Sequence, residues 1–168
     1  MASLILYFSR AGENYVSGAI KILPKGNTQI AAEMIQRFTQ GVLFKIEPLV
    51  PYSENYSECI EQAKNDQKMN ARPELAAYPD SITEFDTIYL GYPNYWGSMP
   101  MPVYTLLEKL DFSKKRIKPF CTHEDSGLGH SIEELRKICP KAEIGPGLSL
   151  QGGRIAGAEK EIKKWILK

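Results

Sequence analysis

Little in this chain points to a metal, a disulfide framework or a membrane. Its three cysteines, Cys59, Cys121 and Cys139, are scattered over 168 residues with no CxxC pair and no Cys/His ligand spacing. An odd set of this kind argues against a disulfide scaffold and against structural zinc, and suits a reducing cytoplasm. Charge of one sign is missing too. Lys+Arg 21 against Asp+Glu 20 leaves a net charge of +1, so bulk charge indicates no nucleic acid and no acidic membrane surface as partner. No apolar run is long enough for a membrane span. The opening Met1 to Phe8 lacks a basic lead and a small-residue cleavage site, and reads as a buried first strand. No GxGxxG sequence, repeat or low-complexity tract is present. At this length, with 43% hydrophobic residues, one core is expected, in a single domain over residues 1–168.

What is present is an alternation. Runs rich in β-branched and aromatic residues recur at Leu4 to Phe8, Val42 to Pro48, Thr87 to Tyr92, Arg116 to Thr122, and Ala142 to Ile144 continuing through Leu148 to Leu150. Between them, Thr28 to Thr39 carries a helical stripe (Ile30, Ala31, Met34, Ile35, Phe38). Ser53 to Asn70, Pro102 to Leu110, Leu128 to Ile138 and Gly157 to Leu167 supply four more helices. Alternating strands and helices predict βαβ units and a five-stranded parallel sheet in a three-layer α/β/α sandwich. The first, third and fourth strands are apolar on both faces and should be central; the second belongs nearer an edge. Ser53 to Asn70, with few apolar residues, should be the most exposed helix. The stretch after it, from Pro73 to Thr83, reads as a surface connection.

In such a sheet the loops leaving the strand C-termini share one rim, where ligands bind. The first rim loop runs Ser9-Arg10-Ala11-Gly12, is interrupted, and resumes at Lys25-Gly26-Asn27-Thr28 as a helix begins. Free backbone N–H groups, a hydroxyl and the positive end of a helix dipole suit a phosphate dianion; an ordinary cap with Asn27 or Thr28 at its head is the competing reading. The second loop, Pro93-Asn94-Tyr95-Trp96-Gly97, places two aromatics between prolines with a glycine behind. Tyr95 and Trp96 can roof the core or form a stacking platform for a flat heterocycle, and the stiffening by Pro93 and Pro100 favours the platform. The third loop, Thr122-His123-Glu124-Asp125-Ser126-Gly127, is polar and offers backbone donors, or is a solvated connection. Cys121 and Cys139 sit in apolar or helical surroundings and read as core.

Taken together, these three loops resemble the phosphate loop and the two flavin loops of the flavodoxin-like family, in order and spacing over nearly the whole chain. The resemblance is closest to a bacterial branch with a Tyr/Trp-Trp-Gly second loop and an interrupted phosphate loop. It implies strand order 2-1-3-4-5, with FMN at the switch between the first and third strands, as in the flavodoxin example of that rule. It also implies that Ser9, Gly26, Asn27 and Thr28 hold the FMN phosphate, with Arg10 beside them among the cofactor-binding residues. Pro93, Asn94, Tyr95, Trp96 and Gly97 would flank the isoalloxazine, and Thr122, His123, Glu124, Asp125, Ser126 and Gly127 would meet its outer edge.

Two departures stand out. The family's phosphate loop is compact, whereas Gly12 to Lys25 interrupts it here with an apolar segment that could form a short turn of helix. That segment either covers the flavin, meets a partner or packs on the sheet rim. Carrier flavodoxins are also strongly acidic, and this chain is neutral. A carboxylate about 8 Å from flavin N1 at an effective dielectric near 20 would oppose reduction by roughly 2 kcal/mol. With few rim acids beyond Glu13, Glu124 and Asp125, a less negative potential than an acidic carrier's is expected. The resemblance implies an electron carrier working between an electron-donating reductase and an electron acceptor. A reductase passing electrons from NAD(P)H to a small acceptor such as a quinone is a second reading, and a cofactor-free binding module on the same fold a third. No side chain is required as a catalyst, because the flavin would carry the chemistry.

Overall fold

The computed structural model describes residues 2–168. In chain order the elements are β1 (Ser3–Tyr7), β2 (Gly12–Val16), β3 (Ala19–Leu23), α1 (Asn27–Thr39), β4 (Val42–Lys45), α2 (Tyr56–Lys68), β5 (Thr87–Pro93) and α3 (Met101–Lys109). They continue with β6 (Arg116–His123), α4 (Ser131–Ile138), β7 (Glu143–Ile144), β8 (Leu148–Gln151), a 3-10 turn (Gly152–Gly157) and α5 (Glu159–Ile166). The main sheet runs β4-β1-β5-β6, and β7 and β8 both pair with β6 as two halves of a fifth strand. Every pairing in it is parallel. With β2 and β3 set aside, this is the expected order 2-1-3-4-5. Gly145-Pro146-Gly147 breaks the fifth strand, since proline cannot donate to the ladder.

Side-chain alternation on β1 divides the core. Leu4, Leu6 and Phe8 join one cluster with Val103, Leu106 and Leu107 of α3 and Leu135 of α4. Ile5 and Tyr7 join the other with Ala31, Ala32 and Ile35 of α1 and Ile162 and Trp165 of α5. Helices thus cover both faces, as continuous apolar strands require. Gly91 of β5 lies under the Phe120 ring so closely that a Cβ there would sit 2.2 Å from Cζ. α2 buries only Cys59 and Ala63, consistent with its polar sequence.

Two features depart from the sequence reading. Residues 12–23 form an antiparallel hairpin, paired from Gly12↔Leu23 to Val16↔Ala19, in place of a helical turn. Ile20-Lys21-Ile22 alternates with period two, and Ser17 (φ 52) and Gly18 (φ 84) supply the two positive-φ residues of a type I′ connection. Its outer strand is exposed, with Ile22 at 80%. The stretch after α2 is also more than a surface connection: Leu49 N–H donates to Glu74 O and Ala76 N–H to Glu47 O, and Leu75 and Ile82 are buried.

Candidate functional site

The N-terminus of α1 is built by a residue distant in sequence. Gly26 occupies the N-cap position without a side-chain bond, so neither Asn27 nor Thr28 is the cap. Ser9, leaving β1, brings its Oγ across to accept the Gln29 N–H at 3.1 Å. A Cβ on Gly26 would lie 2.2 Å from that Oγ and 2.7 Å from the Arg10 carbonyl, so only glycine lets the two segments close. Ile30 N–H returns to Gly26 O. The N–H groups of Asn27 and Thr28 are left without internal partners among the described residues, at the positive end of the helix dipole. Thr28 Oγ1 shares a buried 2.7 Å hydrogen bond with Thr122 Oγ1, fastening the cradle to β6.

The second and third rim loops are knitted by Asn94. Its Oδ1 accepts the Gly97 N–H at 2.9 Å, its Nδ2 donates to Gly127 O at 2.9 Å, and its own N–H donates to Thr122 O. Tyr95 and Ser98 exchange backbone bonds around Trp96 and Gly97, both at positive φ, 52° and 85°. A tryptophan in the left-handed region is uncommon and stores strain of the kind that gathers at functional loops. The two aromatics take different roles. Tyr95 packs edge-on to Phe8 and Tyr52 and sets its hydroxyl near Cys59 Sγ. Trp96 stays 47% exposed, its indole N–H donating to Ile60 O at 2.9 Å and its ring under Lys64 Nζ at 5.1 Å.

One cleft joins these parts. Of the residues singled out in the sequence, Ser9, Arg10, Asn27, Thr28, Pro93, Asn94, Tyr95, Trp96, Gly97, Thr122, His123, Glu124, Asp125 and Ser126 all line it, and its volume is about 590 Å³. Gly26 and Gly127 stand behind the wall: Gly26 shapes the cradle, and Gly127 accepts from Asn94. Arg10 lines the cleft with its charge already engaged, because its guanidinium donates to the carbonyls of Glu13, Ser53 and Glu54. Glu124 lies toward the α1 end. A Cβ on Gly152 would touch both Glu124 Oε1 (2.8 Å) and Asn27 Nδ2 (2.5 Å), and Glu124 Oε2 accepts the Ser17 N–H. His123 Nε2 pairs with Ser149 Oγ at 2.6 Å, while its Nδ1 is buried without a partner.

Further lining residues were not singled out in the sequence: Asn14 and Tyr15 from the hairpin, Tyr56, Cys59, Ile60 and Ala63 from α2, and Gly152. The Ser-Gly dipeptide between β-branched alternations was the available signal for the first two. The i, i+3, i+4, i+7 spacing of Tyr56, Cys59, Ile60 and Ala63 is the signal for the α2 residues. Burial raises the Cys59 thiol and the Tyr95 and Tyr56 phenols above their ordinary values, so this wall is neutral near pH 7. The described residues contain no group of His, Cys, Asp and Glu placed to hold a metal, and no helix long and apolar enough to cross a membrane.

The chain carrying this cleft has counterparts in fold among solved structures. A flavoprotein candidate from Bacteroides uniformis is 27% identical, with 99% of this chain and 97% of that one aligned at a TM-score of 0.74. Another from Bacteroides eggerthii is 27% identical over 95% and 96%, with a TM-score of 0.70. The Lactobacillus acidophilus flavoprotein, solved in complex with FMN, shares the fold at 19% identity over 98% and 97%, with a TM-score of 0.67. No curated protein matches. The flavodoxin family model, by contrast, matches residues 20–168. That model covers most of the chain, and the chain belongs to the flavodoxin family.

Proposed function

We propose that the cleft binds FMN and that the protein, a single domain over residues 1–168 acting in the cytoplasm, transfers electrons from a reductase to an acceptor. The observation that carries this is the pair of unpartnered N–H groups of Asn27 and Thr28 beneath Gly26, opening into a cleft whose other end is framed by Trp96 and Asn94. A cradle that excludes even a methyl group at position 26 fits a compact dianion. When bound, FMN supplies the redox chemistry. The chain would contribute orientation and shielding. Asn27, Thr28 and Ser9 would hold the phosphate, Asn94 would keep the two rim loops at fixed separation, and the neutral wall of Tyr95, Cys59 and Tyr56 would exclude water. The guanidinium of Arg10 is engaged elsewhere, which leaves the phosphate to the Asn27 and Thr28 N–H groups and the Ser9 hydroxyl.

The neutral net charge keeps a second reading in play, a reductase taking electrons from NAD(P)H for a small acceptor. The test is an absorption spectrum of flavin-stripped protein with FMN added, followed by anaerobic NADPH. Retained flavin bands that NADPH leaves unchanged support the carrier; rapid bleaching supports the reductase. No retained flavin would overturn both and leave a cofactor-free binding module.

A further inference from the structure

Trp96 frames one end of the cleft on a strained turn, and a strained turn persists only where its surroundings hold it. The carbonyls of the turn show what holds it. Trp96 O accepts from Gln67 Nε2 of α2 at 3.2 Å, Ser98 O accepts the Tyr95 N–H, and Gly97 O accepts the His130 N–H at 2.7 Å. The last of these brings two backbones together. Gly129, at φ 54, passes so close to Gly97 that a Cβ on it would lie 2.1 Å from Gly97 O and 2.7 Å from the Gly97 carbonyl carbon. The supporting segment is itself anchored. Ser131, fully buried at the start of α4, accepts the Tyr92 hydroxyl at 2.8 Å and donates to Leu128 O at 2.6 Å. Residues 128–131 are thereby fastened to β5 of the central sheet. Tyr92, Gly129, His130 and Ser131 all stand outside the cleft lining.

We propose that Gly129 is a positioning residue for the aromatic rim: the close passage of its backbone beside Gly97 sets where the Trp96 ring stands against a planar ligand. The support runs from Tyr92 through Ser131 and the 128–130 segment to Gly97, and so to Trp96. Any side chain at position 129 must open the 2.1 Å approach past 3.0 Å. The atoms it would meet are backbone, so no rotamer change can absorb the push. The bonds exchanged by Tyr95 and Ser98 close the turn into one unit, which carries Trp96 with it when it moves. A shift of about 1 Å in a supporting shell is enough to spoil a site. The inference rests on the FMN reading above. It gives the ring end of that site an outside support, as Gly26 gives the phosphate end its own.

The test compares Gly129→Ala with Gly18→Ala in full-length, flavin-stripped protein, titrated with FMN and with riboflavin and read by flavin fluorescence. Gly18 also has a positive φ, 84°, with nothing within 4 Å of a Cβ, so its alanine carries backbone strain without a clash. In Gly129→Ala both ligands should bind about tenfold more weakly, by the same factor, because they share the ring. The flavin fluorescence left at saturation should also rise, a signature of the ring's contact with Trp96 that does not depend on affinity. Gly18→Ala should match wild type in both respects. Should Gly129→Ala fail to show a folded circular dichroism spectrum, Tyr92→Phe decides instead. It unfastens Ser131 without adding an atom and should give the same signature at about threefold. Unchanged residual fluorescence in the deciding variant, an equal change in Gly18→Ala, or a loss confined to FMN would overturn the inference while leaving the FMN reading intact. A wild type that binds neither flavin overturns the FMN reading and the inference with it.

Discussion

Replacing Gly26 by alanine should separate the phosphate cradle from the rest of the cleft. The new Cβ would stand 2.2 Å from Ser9 Oγ and 2.7 Å from the Arg10 carbonyl, where ordinary contact begins at 3.4 Å. Ser9 can rotate; the Arg10 carbonyl is backbone and must move with the loop. Overpacking of this kind costs about 1–3 kcal/mol. If Ser9 swings away, the Gln29 N–H loses its acceptor, at about another 1 kcal/mol. The displaced loop would also pull Ser9 off any phosphate held at Asn27 and Thr28, with loss of one charge-assisted hydrogen bond, about 1.5–3 kcal/mol of binding. Two titrations read these effects apart. Urea unfolding should show destabilisation of about 2 kcal/mol at unchanged slope. Flavin fluorescence quenching should show FMN affinity falling by roughly ten- to a hundredfold, while riboflavin, which has the ring and lacks the phosphate, is bound as by wild type. A variant that loses FMN and riboflavin affinity equally, or neither, would refute the assignment of Gly26 to an anion cradle.

Other perturbations test neighbouring parts. Thr28→Val leaves the buried Thr122 hydroxyl without its 2.7 Å partner and should destabilise by about 1–3 kcal/mol. Thr28→Val with Thr122→Val should recover part of that loss, and a double-mutant cycle showing strict additivity would deny the bond. Trp96→Asn suits the left-handed backbone at φ 52 and should leave stability within about 1 kcal/mol of wild type, while flavin quenching weakens; unaltered quenching would remove Trp96 from the ring contact. Burial raises Cys139 to about 11 and Cys121 to about 12 from an ordinary 9.0. The unfolded chain therefore releases these protons first, and the stability from keeping the thiols neutral is full below pH 9 and lost as pH climbs through the folded values. Urea unfolding should be nearly flat from pH 8 to 9 and above it decline by up to about 1.4 kcal/mol per pH unit per thiol, less steeply in Cys121→Val; an unchanged slope in that variant would exclude Cys121 as a source.

The strands and helices of the sandwich announced themselves through period, because β1, β5 and β6 are apolar on both faces and α1 repeats every third or fourth residue. The rim loops were legible through their glycine, proline and aromatic chemistry, and nearly all the residues they supplied line one cleft. The hairpin was misread because residues 15–23 carry enough apolar side chains to suggest a helical turn, and the period-two signal in Ile20-Lys21-Ile22 is short. Nor could pattern reveal Ser9 capping α1, Arg10 spending its donors on three carbonyls, or Glu124 reaching the hairpin tip, since each joins segments distant in sequence. Lys118 is a further case. A central-strand lysine 3% exposed looks misplaced until its Nζ is seen donating to the Trp165 and Ile166 carbonyls at the end of α5, which satisfies the cation and the helix terminus together.

The borrowed cap of α1 has a bearing on how the protein assembles. An isolated peptide covering α1 would have no side chain to finish its first turn, because the acceptor for Gln29 N–H belongs to the end of β1. Its opening turn is therefore expected to fray until β1 docks, and the Gln29 amide to gain protection from exchange only as the sheet forms, later than the middle of the helix. The anion cradle would then come into being only in the assembled fold, and the nascent chain would have nothing with which to grip a phosphate.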